Sequence, residues 1–211
     1  YTTLFRSVSI PPSPIICCVG VMDDYAKATT MELKEAGNAI LLVGERFEEL
    51  GGSAYERIVD SPLSGSIPQV RYELERGMIY GTVDAIQKGT VRAAHDISNG
   101  GLLVTLAEMI LTAHTGKRFG LDIDFSKTET DLRRDFFLFS ESSGFVLEVR
   151  EKDVSAVQSI YRDFDISVNR IGTITNDSQL SVKWTDGTEI VRFTVAHLRE
   201  EWENGLGKIF T

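Results

Sequence analysis

The chain has 211 residues, of which 42% are hydrophobic and 25% are charged, which is typical of an ordinary soluble globular protein with a sizeable core. Its formal net charge of −9 argues against nucleic acid and against an anionic membrane surface as a main partner. No apolar run approaches the roughly 20 residues that a membrane-spanning helix needs, and no signal-peptide pattern opens the chain.

The first elements predicted are a linker and a buried strand. Three prolines mark residues 1–14 as an extended linker entering the fold. Residues 15–22 form an apolar run that predicts a buried strand, and two aspartates end it in a solvated turn. Cys17 and Cys18 are adjacent within this run, so we expect them to be buried, unpaired and reduced, as in a cytoplasmic protein.

Strand and helix patterns follow along the rest of the chain. Short apolar runs predict strands at residues 39–43, 91–94, 119–123, 146–149, 166–174, 180–184 and 190–193. A helical period predicts helices that begin near residue 54 and that span residues 68–88, 102–113, 131–137, 151–164 and 195–206. Asp186-Gly187 is a strong hairpin signal between the last two strands.

Two of the predicted helices have a clear apolar face. The longest one, at residues 68–88, has six residues spaced for a core face: Val70, Leu74, Met78, Ile79, Val83 and Ile86. Gly89 fits its C-terminal end. In the helix that begins at residue 102, Leu106 and Ile110 fall on the face expected to be buried.

A polar turn at residues 95–101 lies between a predicted strand end and a helix start. Such a turn exposes backbone N–H groups at the positive end of the helix, which suits an anion or a phosphate. Gly100 and Gly101 allow close backbone approach, and Asp96 could hold a metal ion that neutralises the phosphate.

Plainer interpretations of this turn stay open. Ser98 or Asn99 could simply cap the helix, and His95 could be a structural histidine at a strand end rather than a group that orients a ligand. The histidines have no metal-ligand spacing with the cysteines, and we expect His114 and His197 at the surface or at helix ends.

Two further turns have the composition of a ligand site. Gly51, Gly52 and Ser53 precede a predicted helix. They either form a second edge of a ligand cleft, or Ser53 caps the helix in a capping box with Glu56. Residues 140–142, Ser-Glu-Ser, form a hydroxyl-rich acidic turn between two apolar segments.

Several of these runs resemble one family. The run Ala-His-Asp-Ile-Ser-Asn-Gly-Gly-Leu at residues 94–102 resembles the signature of phosphoribosylformylglycinamidine synthase, in the C-terminal domain of its synthetase subunit. Leu-Gly-Gly-Ser at 50–53, Phe-Ser-Glu-Ser at 139–142 and Leu-Arg-Glu-Glu-Trp at 198–202 resemble the family as well. The resemblance implies an α+β fold, in which a mixed β-sheet is flanked by helices as in the C-terminal domain of aminoimidazole ribonucleotide synthetase. It also implies that residues 1–14 lead in from an upstream domain and that residues 15–211 form a single domain.

The resemblance also implies an activity and its partners. The family uses ATP, with magnesium on its phosphates, to activate the amide oxygen of formylglycinamide ribonucleotide, and ammonia derived from glutamine then displaces the phosphate. The implied partners are the upstream domains of the same subunit, a separate glutaminase subunit and a small accessory subunit. Most catalytic and ATP-binding residues of the family lie in the upstream domains, so we expect this chain alone to be inactive.

The three turns supply the candidate site residues. The candidates for nucleotide or substrate binding are His95, Asp96, Ser98, Asn99, Gly100, Gly101, Ser140, Glu141, Ser142, Gly51, Gly52 and Ser53. Asp96 and Glu141 are the candidate magnesium ligands, and we expect their turns to face one cleft. Two positions depart from the family: Asn99 stands where it usually carries an acid, and Phe145 lies near a position that often holds arginine.

Two other interpretations stay open. The chain could belong to another ATP enzyme of the same superfamily, such as a phosphotransferase, and the upstream sequence would decide this. It could also be a purely structural half-site whose active copy lies elsewhere in the full chain.

Overall fold

The structure is a computed structural model that describes residues 15–59, 66–113 and 119–205. The strands are β1 Ala39–Val43, β2 Val91–Asp96, β3 Gly120–Asp124, β4 Phe145–Val149, β5 Val168–Thr175, β6 Gln179–Lys183 and β7 Glu189–Thr194. The α-helices are α1 Ala54–Val59, α2 Tyr72–Gln87, α3 Gly101–Leu111, α4 Arg134–Phe139, α5 Val154–Arg162 and α6 Val195–Asn204. None of the helices in these ranges combines the length and the apolarity that a membrane span requires.

The strands form one mixed sheet in the order β2-β4-β1-β5-β3-β6-β7. The β3–β6 pair is parallel and the other neighbouring pairs are antiparallel. Helices pack on both faces of the sheet. The expected α+β fold, a mixed sheet flanked by helices, is confirmed.

The interior strand β1 is buried along its whole length. All five of its residues are buried, and its neighbours on either side are β4 and β5. Ala39, Leu41 and Val43 pack in a cluster with α2 and α5, whereas Ile40 and Leu42 pack in a second cluster with α3 and α4. The sheet therefore separates two apolar cores, one on each face.

Most of the predicted elements are present, with shifted ends. β2 continues to Asp96, so His95 and Asp96 belong to the strand rather than to the turn. The short helix predicted at residues 131–137 lies later, at Arg134–Phe139. The hairpin is confirmed, because β6 and β7 pair across a turn in which Gly187 has a φ of 79°.

The predicted core face of α2 is wrong in part. Ile79 and Val83 are 50% and 45% exposed, and Val70 precedes the helix. The buried face instead carries small residues, because α5 and the segment after it approach closely there. A β-carbon on Gly81 would lie 2.5 Å from the ring of Tyr161. Met78 is buried as predicted. Apolar spacing missed Gly77 and Gly81 on the packed side, because a glycine has no apolar side chain that would mark a buried face.

The predicted buried strand at residues 15–22 is also wrong. This segment has no strand assignment, and Ile15 and Val21 are each 96% exposed. Cys17 and Cys18 are free, as expected, but exposed rather than buried. No strand in the described ranges pairs with the segment, so it takes no part in the sheet. The solvated turn after it is confirmed.

Two groups of sequence predictions cannot be compared with the structure. The linker at residues 1–14 and His114 lie outside the described residues. His197 is exposed on α6, as predicted.

The helix after the glycine turn provides a test of the fold. Leu106 is fully buried between α3 and the sheet, so Leu106→Ala should lower the free energy of unfolding by about 2–5 kcal/mol. Leu103 on the same helix is only partly buried, and Leu103→Ala should cost clearly less. Urea denaturation of both variants measures the difference, and equal midpoints for the two would contradict the assignment of the buried face.

Candidate functional site

Three turns meet on one side of the sheet, where the strands β1 and β2 end. We call this row of strand ends the edge of the sheet. β1 and β2 end at this edge and β4 begins there, because Phe145 pairs with Val43 on one side and with Asp96 on the other. The Ile97 N–H donates to the Gly144 carbonyl at 2.9 Å. The turns that follow β1 and β2 are therefore close to the turn that precedes β4.

The Glu141 carboxylate connects these turns. Its Oε1 accepts hydrogen bonds from the backbone N–H groups of Ala54 and Gly100, both at 2.8 Å. Ala54 is the first residue of α1, and Gly100 directly precedes α3. The carboxylate thus lies at the N-termini of two helices, where negative charge is favourable. The position at which the sequence analysis expected a phosphate is therefore occupied by the Glu141 side chain.

Gly100 and Gly101 allow this close approach. Their φ angles are +82° and +72°, and a β-carbon on Gly101 would lie 2.7 Å from the Cα of Phe139. Gly100 is the N-cap of α3, which has no side-chain cap. The interpretation that Ser98 or Asn99 caps the helix is therefore wrong, and both of these residues are exposed at the edge.

The turn at residues 51–53 forms the predicted capping box in a modified form. Ser53 Oγ accepts a hydrogen bond from the Glu56 N–H at 3.1 Å. The Glu56 carboxylate accepts one from the Gly52 N–H rather than from the N–H of Ser53. Because Ser53 is 1% exposed and its oxygen is engaged, Gly52 is the part of this turn that faces solvent.

Ser140 and Ser142 are buried, with 0% and 1% of their surface exposed. Their hydroxyl groups hydrogen bond to each other at 2.6 Å, and the Ser142 hydroxyl donates to Glu49 at 2.7 Å. The Arg46 guanidinium donates to both serine carbonyls. Enclosed in this way, the two hydroxyl groups cannot contact a ligand. This corrects their predicted role: they shape the turn that presents Glu141.

Buried charges next to this turn were not predicted from the sequence. Arg46 and Glu49 are 7% and 2% exposed, although residues 45–49 look like an exposed polar loop. Burial raises the pKa of Glu49, but hydrogen bonds from Arg71 and Ser142 outweigh it, so that the pKa lies below its usual value. Burial lowers the pKa of Arg46 to about 10, against the opposing charge of Glu49. Both groups therefore stay charged at neutral pH.

His95 lies between two carboxylates at the end of β2. Its Nδ1 is 3.2 Å from Asp96 Oδ1, and its Nε2 is 3.1 Å from Glu108 Oε2. The ring is 11% exposed, whereas the Asp96 side chain is 64% exposed. The geometry supports the structural interpretation of His95 and leaves Asp96 accessible.

The carboxylate oxygen atoms at this edge do not fit as ligands of a magnesium ion. Magnesium requires a near-octahedral set of oxygen ligands. Glu141 Oε1 already accepts from two N–H groups, and the Asp96 carboxylate contacts the His95 ring. Across the described ranges, no cluster of three or more His, Cys, Asp or Glu residues could hold a metal ion. The magnesium site predicted at Asp96 and Glu141 therefore has no support here.

The accessible part of the edge is small and polar. Gly52, Asp96, Ser98 and Asn99 are exposed. At the same edge, between the end of β1 and the start of β5, lies a cavity of about 280 Å³ whose lining includes Arg46. The side chains of Ser98 and Asn99 could hydrogen bond to a sugar or a phosphate, and the Asp96 carboxylate could accept a hydrogen bond from a sugar hydroxyl group.

Comparison with known proteins identifies related domains. Residues 35–185 match the family described as AIR synthase related protein, C-terminal domain. The chain is 45% identical over 200 residues to phosphoribosylformylglycinamidine synthase subunit PurL of Methanothrix thermoacetophila, and 34% identical over 200 residues to that of Alkaliphilus metalliredigens. Each alignment covers 94% of this chain, but 25% and 26% of the relative. The chain thus spans about a quarter of the length of these curated relatives.

Solved structures share the fold. PurL of Thermotoga maritima complexed with ATP superposes with a TM-score of 0.66 at 15% identity, over 82% of this chain and 27% of that one. The Thermotoga maritima structure described as PurLQS gives 0.67 at 16% identity, over 82% and 28%. PurL complexed with FGAR gives 0.66 at 16% identity, over 82% and 30%. Identities this low establish a common fold and nothing finer.

Removal of the Glu141 carboxylate tests its role. Glu141→Ala leaves two helix N–H groups without a partner, so the free energy of unfolding should fall by about 1–3 kcal/mol. Added phosphate should stabilise this variant more than the wild type, because an anion can take the vacated position. Thermal denaturation with and without phosphate measures both effects. Glu200→Ala, at an exposed position of α6, is the control and should change little; an equally small change at Glu141 would contradict the assignment.

Glu49 provides a pH-dependent test. Because its pKa is lowered below 4.5 in the folded protein, its ionised form stabilises the fold above that pH, and this contribution is lost as the pH falls through the folded pKa. Glu49→Gln should therefore be less stable than wild type at neutral pH, and the difference should narrow in acid. Denaturation midpoints across this pH range measure it. The exposed neighbour Glu48 supplies the control, Glu48→Gln; a constant gap for Glu49→Gln would refute the interpretation.

Proposed function

The chain belongs to the family of AIR synthase related proteins, as their C-terminal domain, and from this premise we propose that it is part of the synthetase subunit of phosphoribosylformylglycinamidine synthase. The observation that carries the proposal is the 45% identity to the Methanothrix thermoacetophila subunit over 94% of the chain. The seven-stranded sheet and the glycine turns at its edge agree with that assignment.

The proposed reaction is the ATP-dependent ligation of ammonia to formylglycinamide ribonucleotide, a step of purine biosynthesis. The amide oxygen attacks the γ-phosphorus of ATP and ADP leaves. Ammonia then adds to the activated carbon, and inorganic phosphate departs with the former amide oxygen to give the amidine. Such phosphoryl transfer depends on positioning and on charge around the phosphates.

We assign to this chain one wall of the substrate cleft rather than the reacting groups. The exposed Asp96 carboxylate is suited to accept hydrogen bonds from ribose hydroxyl groups, and the exposed side chains of Ser98 and Asn99 are suited to hydrogen bonds with a ribose or a phosphate. The network of Arg46, Glu49 and Ser142 keeps the turns beneath them in place. In this proposal the ATP site, with its magnesium, lies mainly in upstream domains of the same polypeptide.

The proposed partners follow from the same assignment. They are the upstream domains, formylglycinamide ribonucleotide, a separate glutaminase subunit and a small accessory subunit. The related structures described as PurLQS and as PurL with ATP or FGAR support a multi-subunit enzyme that binds both compounds. The two free cysteines support a reducing, cytoplasmic location.

A second candidate role applies to the edge alone. Glu141 fills the position at the two helix N-termini that a phosphate would otherwise take. This observation favours a structural half-site, in which the edge stabilises the domain while substrate is held elsewhere in the polypeptide.

An activity assay tests the proposed function and separates the two roles. The complete subunit, supplied with ATP, magnesium, the ribonucleotide and an ammonium salt, should form formylglycinamidine ribonucleotide, whereas this chain alone should release no phosphate from ATP. In the complete subunit, Asp96→Asn should raise the KM for the ribonucleotide if the edge faces substrate. Asp163→Asn, at an exposed position after α5, serves as the control. Turnover by the isolated chain above a heat-killed sample, or none by the complete subunit, would contradict the proposal. An unchanged KM for Asp96→Asn would favour the half-site.

A further inference from the structure

Four basic side chains line one cavity at the end of the sheet opposite the candidate site. The cavity has a volume of about 360 Å³ and lies between residues 26–29, the C-terminal end of α2 and the start of β2. We call it the basic cavity. The basic residues are Lys27, Lys34, Lys88 and Arg92, and none of the described residues that line it is acidic. Because like charges repel one another, this arrangement in a chain of net charge −9 points to an anionic ligand.

Two of these cations are paired within the protein. The Lys88 amino group lies 2.7 Å from the Asp84 carboxylate. The Lys34 amino group lies 3.0 Å from the Glu32 carboxylate. These carboxylates offset the charges of the two lysines, which therefore form part of the wall of the basic cavity but leave no net charge for a ligand to neutralise.

The other two cations, Lys27 and Arg92, are not paired in this way. Within the described residues, neither the Lys27 amino group nor the Arg92 guanidinium forms a hydrogen bond or an ion pair. Arg92 is partly buried, and its Nε–H group is enclosed without an acceptor. A buried donor without an acceptor destabilises the fold, and an acceptor atom of a ligand would remove that cost. Two positive charges at the basic cavity thus have no counter-charge in the described part of the chain.

The backbone around the basic cavity is held by hydrogen bonds. The Ala94 N–H donates to the Thr30 carbonyl at 3.2 Å, which fastens the segment at residues 26–30 to β2. At the end of α2, the N–H and the hydroxyl group of Thr90 both donate to the Ala85 carbonyl, at 3.2 and 2.8 Å. The walls are therefore in place before a ligand binds, which lowers the entropy that binding costs.

We propose that the basic cavity binds a phosphate group, with the Arg92 guanidinium and the Lys27 amino group as its charged donors. A phosphate group on an ester carries a charge of about −1.5 to −2 at neutral pH, which matches the two cations that lack a counter-charge. Arginine can donate two parallel N–H groups to phosphate oxygens, and lysine supplies a point charge. The Thr29 hydroxyl group, in the same lining, adds a further donor.

The basic cavity is separate from the candidate site. Val91 lines the basic cavity and Asp96 lies at the edge of the sheet, at opposite ends of β2. At about 3.3 Å per residue, these two residues are roughly 17 Å apart. A phosphate group in the basic cavity is therefore not one that reacts in the proposed function, and this inference does not rest on that function. The cavity has room for more than a phosphate ion, so the group belongs either to inorganic phosphate or to a nucleotide.

A phosphate group in the basic cavity should shield the lysines around it. We compare the rates at which N-hydroxysuccinimidyl acetate acetylates Lys27 and Lys88 in the complete polypeptide that contains this chain, by peptide mass spectrometry with and without inorganic phosphate. At about ten times its Kd, phosphate should slow both rates about tenfold, because only the unliganded fraction reacts. Lys152, exposed between β4 and α5, is the control whose rate should not change.

Variants test whether the two unpaired cations hold the phosphate group. Lys27→Gln should raise the phosphate concentration that half-protects Lys88 by at least about tenfold, because a charged hydrogen bond is lost. Lys152→Gln is the matched control and should leave that concentration unchanged. Since Lys27 is exposed, its variant should keep the denaturation midpoint, so that lost protection does not report unfolding. Arg92→Gln should also abolish protection, with Arg162→Gln at the exposed end of α5 as its control.

Three anions identify the ligand. Protection by AMP at a concentration at least about tenfold lower than that of inorganic phosphate assigns the basic cavity to a nucleotide. Protection by AMP only at similar or higher concentrations assigns it to inorganic phosphate, and both results support the proposal. Absence of protection by either anion overturns it, and so does equal protection by acetate at the same ionic strength, which indicates a general effect of charge. Protection that survives in both Lys27→Gln and Arg92→Gln also overturns it, because the anion then binds elsewhere.

The acetylation rates are measured without reference to ligase activity. Protection in a polypeptide that lacks ligase activity supports the basic cavity and contradicts the proposed function. An active ligase whose lysines are not protected supports the proposed function and overturns the basic cavity.

Discussion

The candidate site depends on the position of one carboxylate. Glu141 satisfies N–H groups at the N-termini of α1 and α3, and Arg46 fixes the backbone on either side of it through the carbonyls of Ser140 and Ser142. The buried Arg46 guanidinium thus fixes the turn at residues 140–142. The Glu141 carboxylate of that turn accepts hydrogen bonds at the N-termini of both helices. Since these helices start at different loops, loss of the charge would free both loops at once. A ligand that binds at this edge must therefore bind next to the negative charge of Glu141.

The fold was predictable where local pattern and final packing agree. β1 and α3 show their apolar patterns in the sequence and are buried as expected. The prediction failed in part at α2: Met78 is buried as predicted, but the packed side also includes Gly81, against which the ring of Tyr161 on another helix lies closely. It failed again at residues 15–22, where the sequence has the composition of a buried strand but the described chain contains no neighbour for it.

The candidate site was predictable in its location but not in its chemistry. The glycine turns before α1 and α3, which the sequence analysis singled out, lie together in the structure, joined through Glu141. The partner of Glu141 could not be inferred, because the bonds to Gly100 and Ala54 span 41 and 87 residues. Arg46 and Glu49 were missed for a related reason: a charged residue in a polar run is usually solvated, and only the tertiary structure shows that these two are enclosed.

The position of β1 inside the sheet, between β4 and β5, has a consequence for synthesis. Its partners β4 and β5 lie far downstream, and the neighbouring contact between Asn38 and Glu148 spans 110 residues. At ribosomal speed, β1 therefore waits on the order of 5–20 s for its first partner strand. During that interval five consecutive apolar residues are without their sheet. The strand β1 is thus translated early but becomes buried only after β4 has emerged, which leaves an apolar segment exposed in the nascent chain.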